Sequence, residues 1–253
     1  MPHAWTSYLI LFAAGCLAGT INVIAGGGSF LTLPLMIFLG LPPTTANGTN
    51  RIAILVQNAG AVWSFHRHRI LEWRWLAVAA PPAVLGAVLG AWSAVRIGDA
   101  AFERILATLM VGISLWALWN PLSGRHAGDT LRPSSPLARL GLMGGFLTVG
   151  FYGGFVQAGV GFLFLGLTAA AGLNLVRGNA LKVLIILAYT PLTLALFSAS
   201  GKVEWGLGLA LAAGNLLGGL AGVRLTVLKG HRWVKRVVTV TVILFALKLW
   251  LAP

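Results

Sequence analysis

A short segment of the chain, residues 44–51, has an unusual density of polar side chains in an apolar surrounding. Its sequence, TTANGTNR, brings Asn47, Thr49, Asn50 and Arg51 within five positions. Hydroxyls and amides form hydrogen bonds, and a guanidinium group binds planar or tripodal oxyanions through its forked N–H groups. The segment therefore predicts part of a binding site for a small oxyanion.

A second polar segment, VRGNALK, occupies residues 176–182 and contains Asn179, Arg177 and Lys182. Each of the two segments places one cation near the start of an apolar stretch, Arg51 in the first and Lys182 in the second. We expect both cations to supply positive charge to one shared site. The alternative is that each side chain extends to the membrane interface, as long basic side chains do near helix ends.

Glycine-rich segments precede both polar segments: AGGGSF at residues 25–30 and AGVG at residues 158–161. Backbone N–H groups left free at the start of a helix attract anions, so these glycines predict an anion cradle. Close packing of helices is the alternative explanation, and it is the one we prefer for the GxxxG spacings at 86–90 and 218–222. The candidate ligands in and beside the two segments are Asn22, Gly26, Gly27, Gly28, Ser29, Gln157, Gly159 and Gly161.

The apolar stretches contain no set of residues suited to catalysis or to metal binding. All five acidic residues fall in the connections between these stretches or at their edges, and the single cysteine, Cys16, has no partner for a disulfide or a metal cluster. We therefore predict no catalytic residue, no metal and no cofactor. A membrane-embedded enzyme is the alternative from another class, and it would need a nucleophile with an activating base, or a metal cluster.

The composition is typical of a membrane protein: 58% of the 253 residues are hydrophobic, 9% are charged, and the mean hydropathy is +0.87. A helix crosses the ~30 Å hydrocarbon core with ~20 apolar residues. Runs that approach this length lie at 6–24, 46–65, 76–95, 101–119, 138–158, 183–198, 206–227 and 233–251, and shorter runs lie at 29–40 and 162–173. The sequence thus predicts an all-α polytopic membrane protein.

The net charge of +13 arises mostly from Lys and Arg in the connections. The positive-inside rule explains such a distribution by membrane topology, so the charge does not indicate a nucleic-acid partner.

The two halves of the chain are related by an internal repeat, in which one constant offset aligns them without a gap. Residues paired at this offset include Gly27 and Gly159, Phe30 and Phe162, Asn47 and Asn179, Phe65 and Phe197, Trp73 and Trp205, and Arg104 and Arg236. We predict a first transmembrane repeat at residues 1–120, a cytoplasmic linker at 121–137 and a second repeat at 138–253.

Equivalent connections of the two repeats carry opposite charge bias. The connection at 66–74 is rich in arginine, whereas its partner at 198–206 has one lysine and one glutamate. The bias reverses in the next pair, since 96–104 is balanced and 229–236 is basic without an acid. Because Lys and Arg mark the cytoplasmic side, we predict inverted repeats of about five hydrophobic segments each, with both chain termini outside.

Inverted repeats that contain short, Gly/Pro-interrupted segments at corresponding positions indicate a transporter with its substrate site near the membrane midplane. A non-transporting scaffold is disfavoured, because it has no need of polar breaks at matched depths. The interiors of the apolar stretches hold no carboxylate for ion coupling. An exported anion needs none, since the membrane potential drives each negative charge outward by ~2.3 kcal/mol per 100 mV.

The segment INVIAGGGSFLTLPLMIFLGLPPTTANGTNRIAIL, residues 21–55, resembles the first signature of the TauE/SafE sulfite exporter family, also called the toluene-sulfonate uptake permease family. The resemblance extends over the two-half layout. In the second half, GGFVQAGVGF and GNALK are similar to the family's GGFxGAGxGF and GTxK-like elements, with departures at Gln157 and Ala180-Leu181 that bear on the substrate more than on the fold.

The resemblance implies a multi-pass protein of the bacterial inner membrane that exports sulfite or an organosulfonate, driven by the membrane potential or by ion coupling. Uptake of an organosulfonate or another sulfur-containing anion is the alternative within transport. The implied partners are a small anion and the lipid bilayer, and a homo-oligomer is left open.

Overall fold

The computed structural model describes residues 5–71, 73–118 and 136–251, and the elements in these residues are nine α-helices. They are α1 Trp5–Ile24, α2 Ser29–Phe38, α3 Pro43–Arg67, α4 Trp73–Ala94, α5 Asp99–Leu118, α6 Pro136–Phe155, α7 Val160–Ala170, α8 Leu175–Ala199 and α9 Trp205–Leu251.

The helices expose apolar side chains and bury polar ones, which is the reverse of a water-soluble protein. Leu9 and Phe38 are 68% and 83% exposed, whereas Arg51, Asn179 and Lys182 are at most 1% exposed. Lipid favours bulky apolar side chains on the outside, and it excludes charged groups unless protein or water surrounds them. The polar residues of the spans therefore face the interior of the helix bundle.

Four helical segments in the described residues are long and apolar enough to cross a membrane: α1, α4, α8 and the Trp205–Lys229 part of α9. Helix α3 is not among them although it has 25 residues, because its first turns carry the polar segment 44–51. That segment is almost entirely buried in protein, so it needs no contact with lipid. The chain is a polytopic all-α membrane protein, as its composition predicts.

Two short helices interrupt the pattern of long ones at equivalent places. Helices α2 and α7 have 10 and 11 residues, and a helix of that length rises about 15 Å, roughly half of the hydrocarbon core. Each follows a glycine-rich break in which one glycine is left-handed, Gly26 with φ 93° and Gly159 with φ 71°. Glycine adopts this conformation without a steric penalty, so the chain breaks where the sequence predicts.

The internal repeat is visible in the helix boundaries and in the contacts between the halves. Helix α8 begins and ends at the positions that the repeat offset assigns to the two ends of α3. Helix α1 packs along α9, and its equivalent α6 packs along α4, the equivalent of the first part of α9. The equivalent residues Phe30 and Phe162 contact each other, with ring centroids 6.1 Å apart. Such exchanged contacts are the pattern that a twofold relation between the halves produces.

Glycines permit the close approach of these helix pairs. A Cβ built at Gly86 would collide with the carbonyl oxygen of Leu147, and one built at Gly218 would collide with that of Cys16. The α4–α6 and α1–α9 interfaces therefore use these glycines for packing, in line with their GxxxG spacing.

One sequence expectation is wrong for the described residues. The sequence predicts a connection at 229–236, but α9 continues through it as one helix of 47 residues. The stretch is basic but contains no proline, and a single glycine costs only about 1 kcal/mol in a helix. The second repeat therefore has four helices in the described residues, against five in the first. The predicted linker at 121–137 lies outside the described residues except for its last two, which begin α6.

Candidate functional site

Two helix ends meet the interior of the protein, at Ile24 in α1 and at Phe155 in α6, each just before a glycine-rich segment. The last carbonyl groups of a helix have no partner within the helix, so in a membrane protein another group must donate to them. Side chains of the opposite repeat do this: Lys182 of α8 binds the end of α1, and Arg51 of α3 binds the end of α6.

Lys182 donates to three protein oxygens. Its Nζ lies 3.0 Å from the carbonyl oxygen of Asn22, 2.9 Å from that of Val23 and 2.7 Å from Oδ1 of Asn179. An ammonium group has three N–H donors and no acceptor, so its capacity is filled. Lys182 thus acts as a positively charged cap at the negative end of the α1 dipole.

Arg51 uses much less of its hydrogen-bonding capacity. Its Nη2 donates to the carbonyl oxygen of Gly154 at 2.5 Å, and its guanidinium carbon lies 4.4 Å from the ring centroid of Phe197. The Nε and Nη1 atoms have no hydrogen-bond partner among the described residues. These two atoms carry three of the five guanidinium N–H groups, so the described residues leave most of the hydrogen-bonding capacity of this buried cation unused.

Both cations are enclosed by protein, since Arg51 is 0% and Lys182 is 1% exposed. Neither side chain therefore extends to the surface of the protein. Within the part of the chain that the structure describes, no carboxylate interacts with either group. A buried charge costs several kcal/mol unless a partner compensates it. The region thus carries an excess of positive charge that an anion would neutralise.

Two equivalent asparagines donate hydrogen bonds to the last carbonyl groups of α6 and α1. Nδ2 of Asn47 donates to the carbonyl oxygen of Phe155 at 2.8 Å, and Nδ2 of Asn179 donates to that of Ile24 at 3.0 Å. The Oδ1 atoms differ, because that of Asn179 accepts from Lys182 and that of Asn47 has no partner among the described residues.

Three further candidates from the sequence are engaged in contacts between elements. Nδ2 of Asn50 donates to Oγ of Ser29 at 3.0 Å, and its Oδ1 accepts from Oγ1 of Thr32 at 2.8 Å. Oγ1 of Thr49 accepts from the backbone N–H of Glu204 at 2.8 Å. These bonds fix α3 against α2 and against the connection before α9, and so they position the helix that carries Arg51.

The two glycine-rich segments touch each other at the repeat interface. Gly26 and Gly161 are in direct contact and leave no room for a side chain on either residue, while Gly159 lies against the ring of Phe30. Close packing is therefore one role of Gly26, Gly159 and Gly161.

Gly28 and Gly27 differ in their surroundings. A Cβ at Gly28 would collide with the carbonyl oxygen of Ala18 in α1, so Gly28 also serves packing. The carbonyl groups of Gly27 and Gly28 accept from the first turn of α2, but neither backbone N–H donates a backbone hydrogen bond in the described residues. Gly27 is thus the position at which the anion-cradle prediction is best tested.

Gln157 occupies a strained position two residues after the end of α6. Its φ is 66°, in the left-handed region that costs a residue with a side chain roughly 1–2 kcal/mol. The side chain is 2% exposed, and neither atom of its amide group has a partner among the described residues. Strain and unpartnered buried amides concentrate at functional sites, so Gln157 remains a candidate ligand.

The structure adds Tyr189, which the sequence reasoning does not identify. Tyr189 lies in α8, is 0% exposed, and its Oη has no hydrogen-bond partner among the described residues. Its repeat equivalent, Gln57, accepts from Nδ2 of Asn22 at 3.2 Å and from Nδ2 of Asn215 at 3.1 Å. The signal in the sequence is a polar residue at the same place in two otherwise apolar stretches.

A comparison with protein families matches residues 11–249 to the family described as sulfite exporter TauE/SafE. The chain belongs to the TauE/SafE family. The matched region contains both glycine-rich breaks and both buried cations. No solved structure matches this TauE/SafE protein.

Several relatives of similar length are named as probable membrane transporter proteins. One from Haemophilus influenzae is 31% identical over 91% of this chain and 89% of that protein. Another from a Sinorhizobium species, ORF9, is 29% identical over 96% of this chain and 92% of that protein. A third, YfcA of Escherichia coli, is 29% identical over 95% of this chain and 88% of that protein. This TauE/SafE protein is a multi-pass transporter of the bacterial inner membrane.

Proposed function

We propose that this TauE/SafE protein exports a small sulfur oxyanion, either sulfite or an organosulfonate. The observation that carries the proposal is the guanidinium group of Arg51, which is fully buried, has no carboxylate partner among the described residues and leaves two of its nitrogens unused. Sulfite and sulfonate groups offer several oxygen acceptors and negative charge, which match the guanidinium in shape and in sign.

The two cations have different roles in this proposal. Arg51 contacts the anion with its free N–H groups. Lys182, whose three donors are already used, holds the end of α1 and adds positive potential from a distance. The sequence predicts one site to which both cations supply positive charge. In this proposal both still contribute charge, but only Arg51 contacts the anion directly.

The membrane potential supplies the driving force for export. With the cell interior negative, it moves each negative charge outward by ~2.3 kcal/mol per 100 mV. The four described segments that are long and apolar enough to cross a membrane contain no carboxylate that would couple a proton or sodium ion, and an anion that moves outward does not require one.

The site lies between repeats that we propose to be inverted. A twofold relation alone permits an axis in the membrane plane or along its normal. The different charge of the equivalent connections at 66–74 and 198–206 favours the axis in the plane. Such an axis passes near the midplane, where the broken helices and Arg51 meet, and repeats that rock about it would expose the site to each side in turn.

Flux measurements in proteoliposomes test this function. The purified protein is reconstituted, and the movement of sulfite, a small organosulfonate, sulfate and chloride is followed with and without an imposed potential. We expect sulfite or the organosulfonate to move toward the positive side, faster as the potential increases. Flux no greater than in protein-free liposomes for every anion would contradict the proposal, and inward flux that requires an ion gradient would support the uptake alternative.

A further inference from the structure

The hydroxyl group of Tyr189 is the starting point for an inference about how the anion is held. This residue lies within a helix that is itself long and apolar enough to span a membrane, and it is completely buried. Leaving a buried polar group without a partner costs about 1–3 kcal/mol. A hydroxyl kept in that state needs a partner other than the described residues.

Tyr189 and Arg51 meet at the same helix end. The Tyr189 Oη lies over Gly153, such that a Cβ built on that glycine would be 2.6 Å from it. The next residue, Gly154, is the one whose carbonyl oxygen accepts from Arg51. Two sets of unused donors, one phenolic and one guanidinium, thus converge on the end of α6.

We propose that Tyr189 donates a second hydrogen bond to the oxyanion that Arg51 binds. This inference rests on the proposed function, and it adds a specificity residue to the site. A sulfite or sulfonate group can accept from the phenol and from the guanidinium through different oxygens. A monatomic ion such as chloride offers a single centre for both bonds, so we expect the pair to favour oxyanions over chloride.

Of the two equivalent helix ends, only the end of α6 has the features of the proposed anion site. At the equivalent place beside the end of α1, the amide oxygen of Gln57 accepts from Asn22 and Asn215, its Nε2 has no partner among the described residues, and Lys182 has no free donor. An anion at that end would meet one unpartnered neutral amide but no charged group with a free donor. The substrate is therefore bound at the α6 end, and the α1 end serves as its structural counterpart.

The matched test uses two tyrosines near the end of α6, the fully buried Tyr189 and the partly buried Tyr152. The hydroxyl of Tyr152 donates to the carbonyl oxygen of Ala158, whereas that of Tyr189 has no partner among the described residues. In Tyr189→Phe, we expect the binding of sodium sulfite to weaken by about 10- to 100-fold, since a hydrogen bond to a charged group is lost. The melting temperature of the sulfite-free protein in detergent should stay the same or rise.

In Tyr152→Phe, we expect the opposite pattern: a lower melting temperature and sulfite affinity within about twofold of wild type, because only a structural hydrogen bond is lost. Chloride, measured as a competitor of sulfite, should compete relatively better in Tyr189→Phe than in wild type. A Tyr189→Phe protein with wild-type sulfite affinity, or with a lower melting temperature without sulfite, would overturn the inference.

The proposed function and this inference fail in different ways. If the wild-type protein does not bind or move sulfite or an organosulfonate, the proposed function fails first. If the wild type binds sulfite, Arg51→Gln does not, and Tyr189→Phe binds as the wild type does, the proposed function stands and only the role of Tyr189 is lost.

Discussion

At the scale of single residues, two cations at equivalent helix ends differ in how many of their donors the protein uses. Lys182 donates to three oxygens, whereas Arg51 makes one hydrogen bond and leaves Nε and Nη1 free of partners among the described residues. Hydrogen-bond capacity therefore distinguishes the structural cap, Lys182, from the group that we propose to bind the ligand, Arg51, although both residues are buried cations.

This difference predicts unequal effects on stability. In Lys182→Met, two backbone carbonyl groups and Oδ1 of Asn179 lose their donor, and each unsatisfied buried acceptor costs about 1–3 kcal/mol. In Arg51→Met, only the carbonyl of Gly154 loses one. We expect Lys182→Met to lower the melting temperature in detergent clearly more than Arg51→Met does. An equal or larger decrease for Arg51→Met would show that Arg51 is the structural cap.

At the scale of elements, the sequence predicts the broken helices well and their contacts poorly. The glycine and proline positions indicate the short helices α2 and α7, because these residues break or end helices through local sterics. The sequence does not predict two of the contacts: that of Gly26 with Gly161, and that of Lys182 with the end of α1. Both depend on how the two repeats pack against each other. The continuity of α9 is also not predicted. The cluster of basic residues at 229–236 is typical of a connection between spans, but it does not prevent helix formation.

Two glycines with left-handed backbone conformations, Gly26 and Gly40, allow the stability cost of backbone strain to be compared with the cost of disrupted packing. Gly26 has φ 93° and contacts Gly161, whereas Gly40 has φ 95° and nothing lies within 4 Å of a Cβ built there. Both alanine substitutions incur the left-handed penalty of roughly 1–2 kcal/mol. We expect Gly26→Ala to lower the melting temperature further, because its methyl group also forces the two repeats apart. Similar melting temperatures for Gly26→Ala and Gly40→Ala would contradict the close contact between the glycine-rich segments.

At the scale of the whole molecule, the two halves combine matching architecture with different chemistry. The helix boundaries and the asparagine caps of α1 and α6 repeat, as the constant offset in the sequence predicts. The residues proposed to bind the anion do not repeat, because the equivalent of Arg51 is Val183 and the equivalent of Tyr189 is Gln57. The sequence repeat thus locates two candidate ends, but it cannot show which of them keeps a charged group with unused donors.

The inverted orientation predicts the sides on which equivalent residues emerge. His68 and Ser200 are equivalent, both follow the last residue of their helix, α3 and α8, and both are exposed. Single cysteines at these positions, in a Cys16→Ala background, should react with a membrane-impermeant thiol reagent from opposite sides of the membrane. His68→Cys should be cytoplasmic, in keeping with its arginine-rich surroundings. Labelling of both from one side would rule out inverted repeats.

The central claim is that the buried guanidinium of Arg51 binds the transported oxyanion, and direct sulfite binding tests it most simply. Arg67 is the matched control, because it lies in the same helix and its guanidinium stacks on Trp63, 5.0 Å from the ring centroid, but it is exposed. We expect Arg51→Gln to weaken sulfite binding by about 10- to 100-fold and Arg67→Gln to leave it within about twofold of wild type. Wild-type affinity in Arg51→Gln, or equal losses in both variants, would contradict the account.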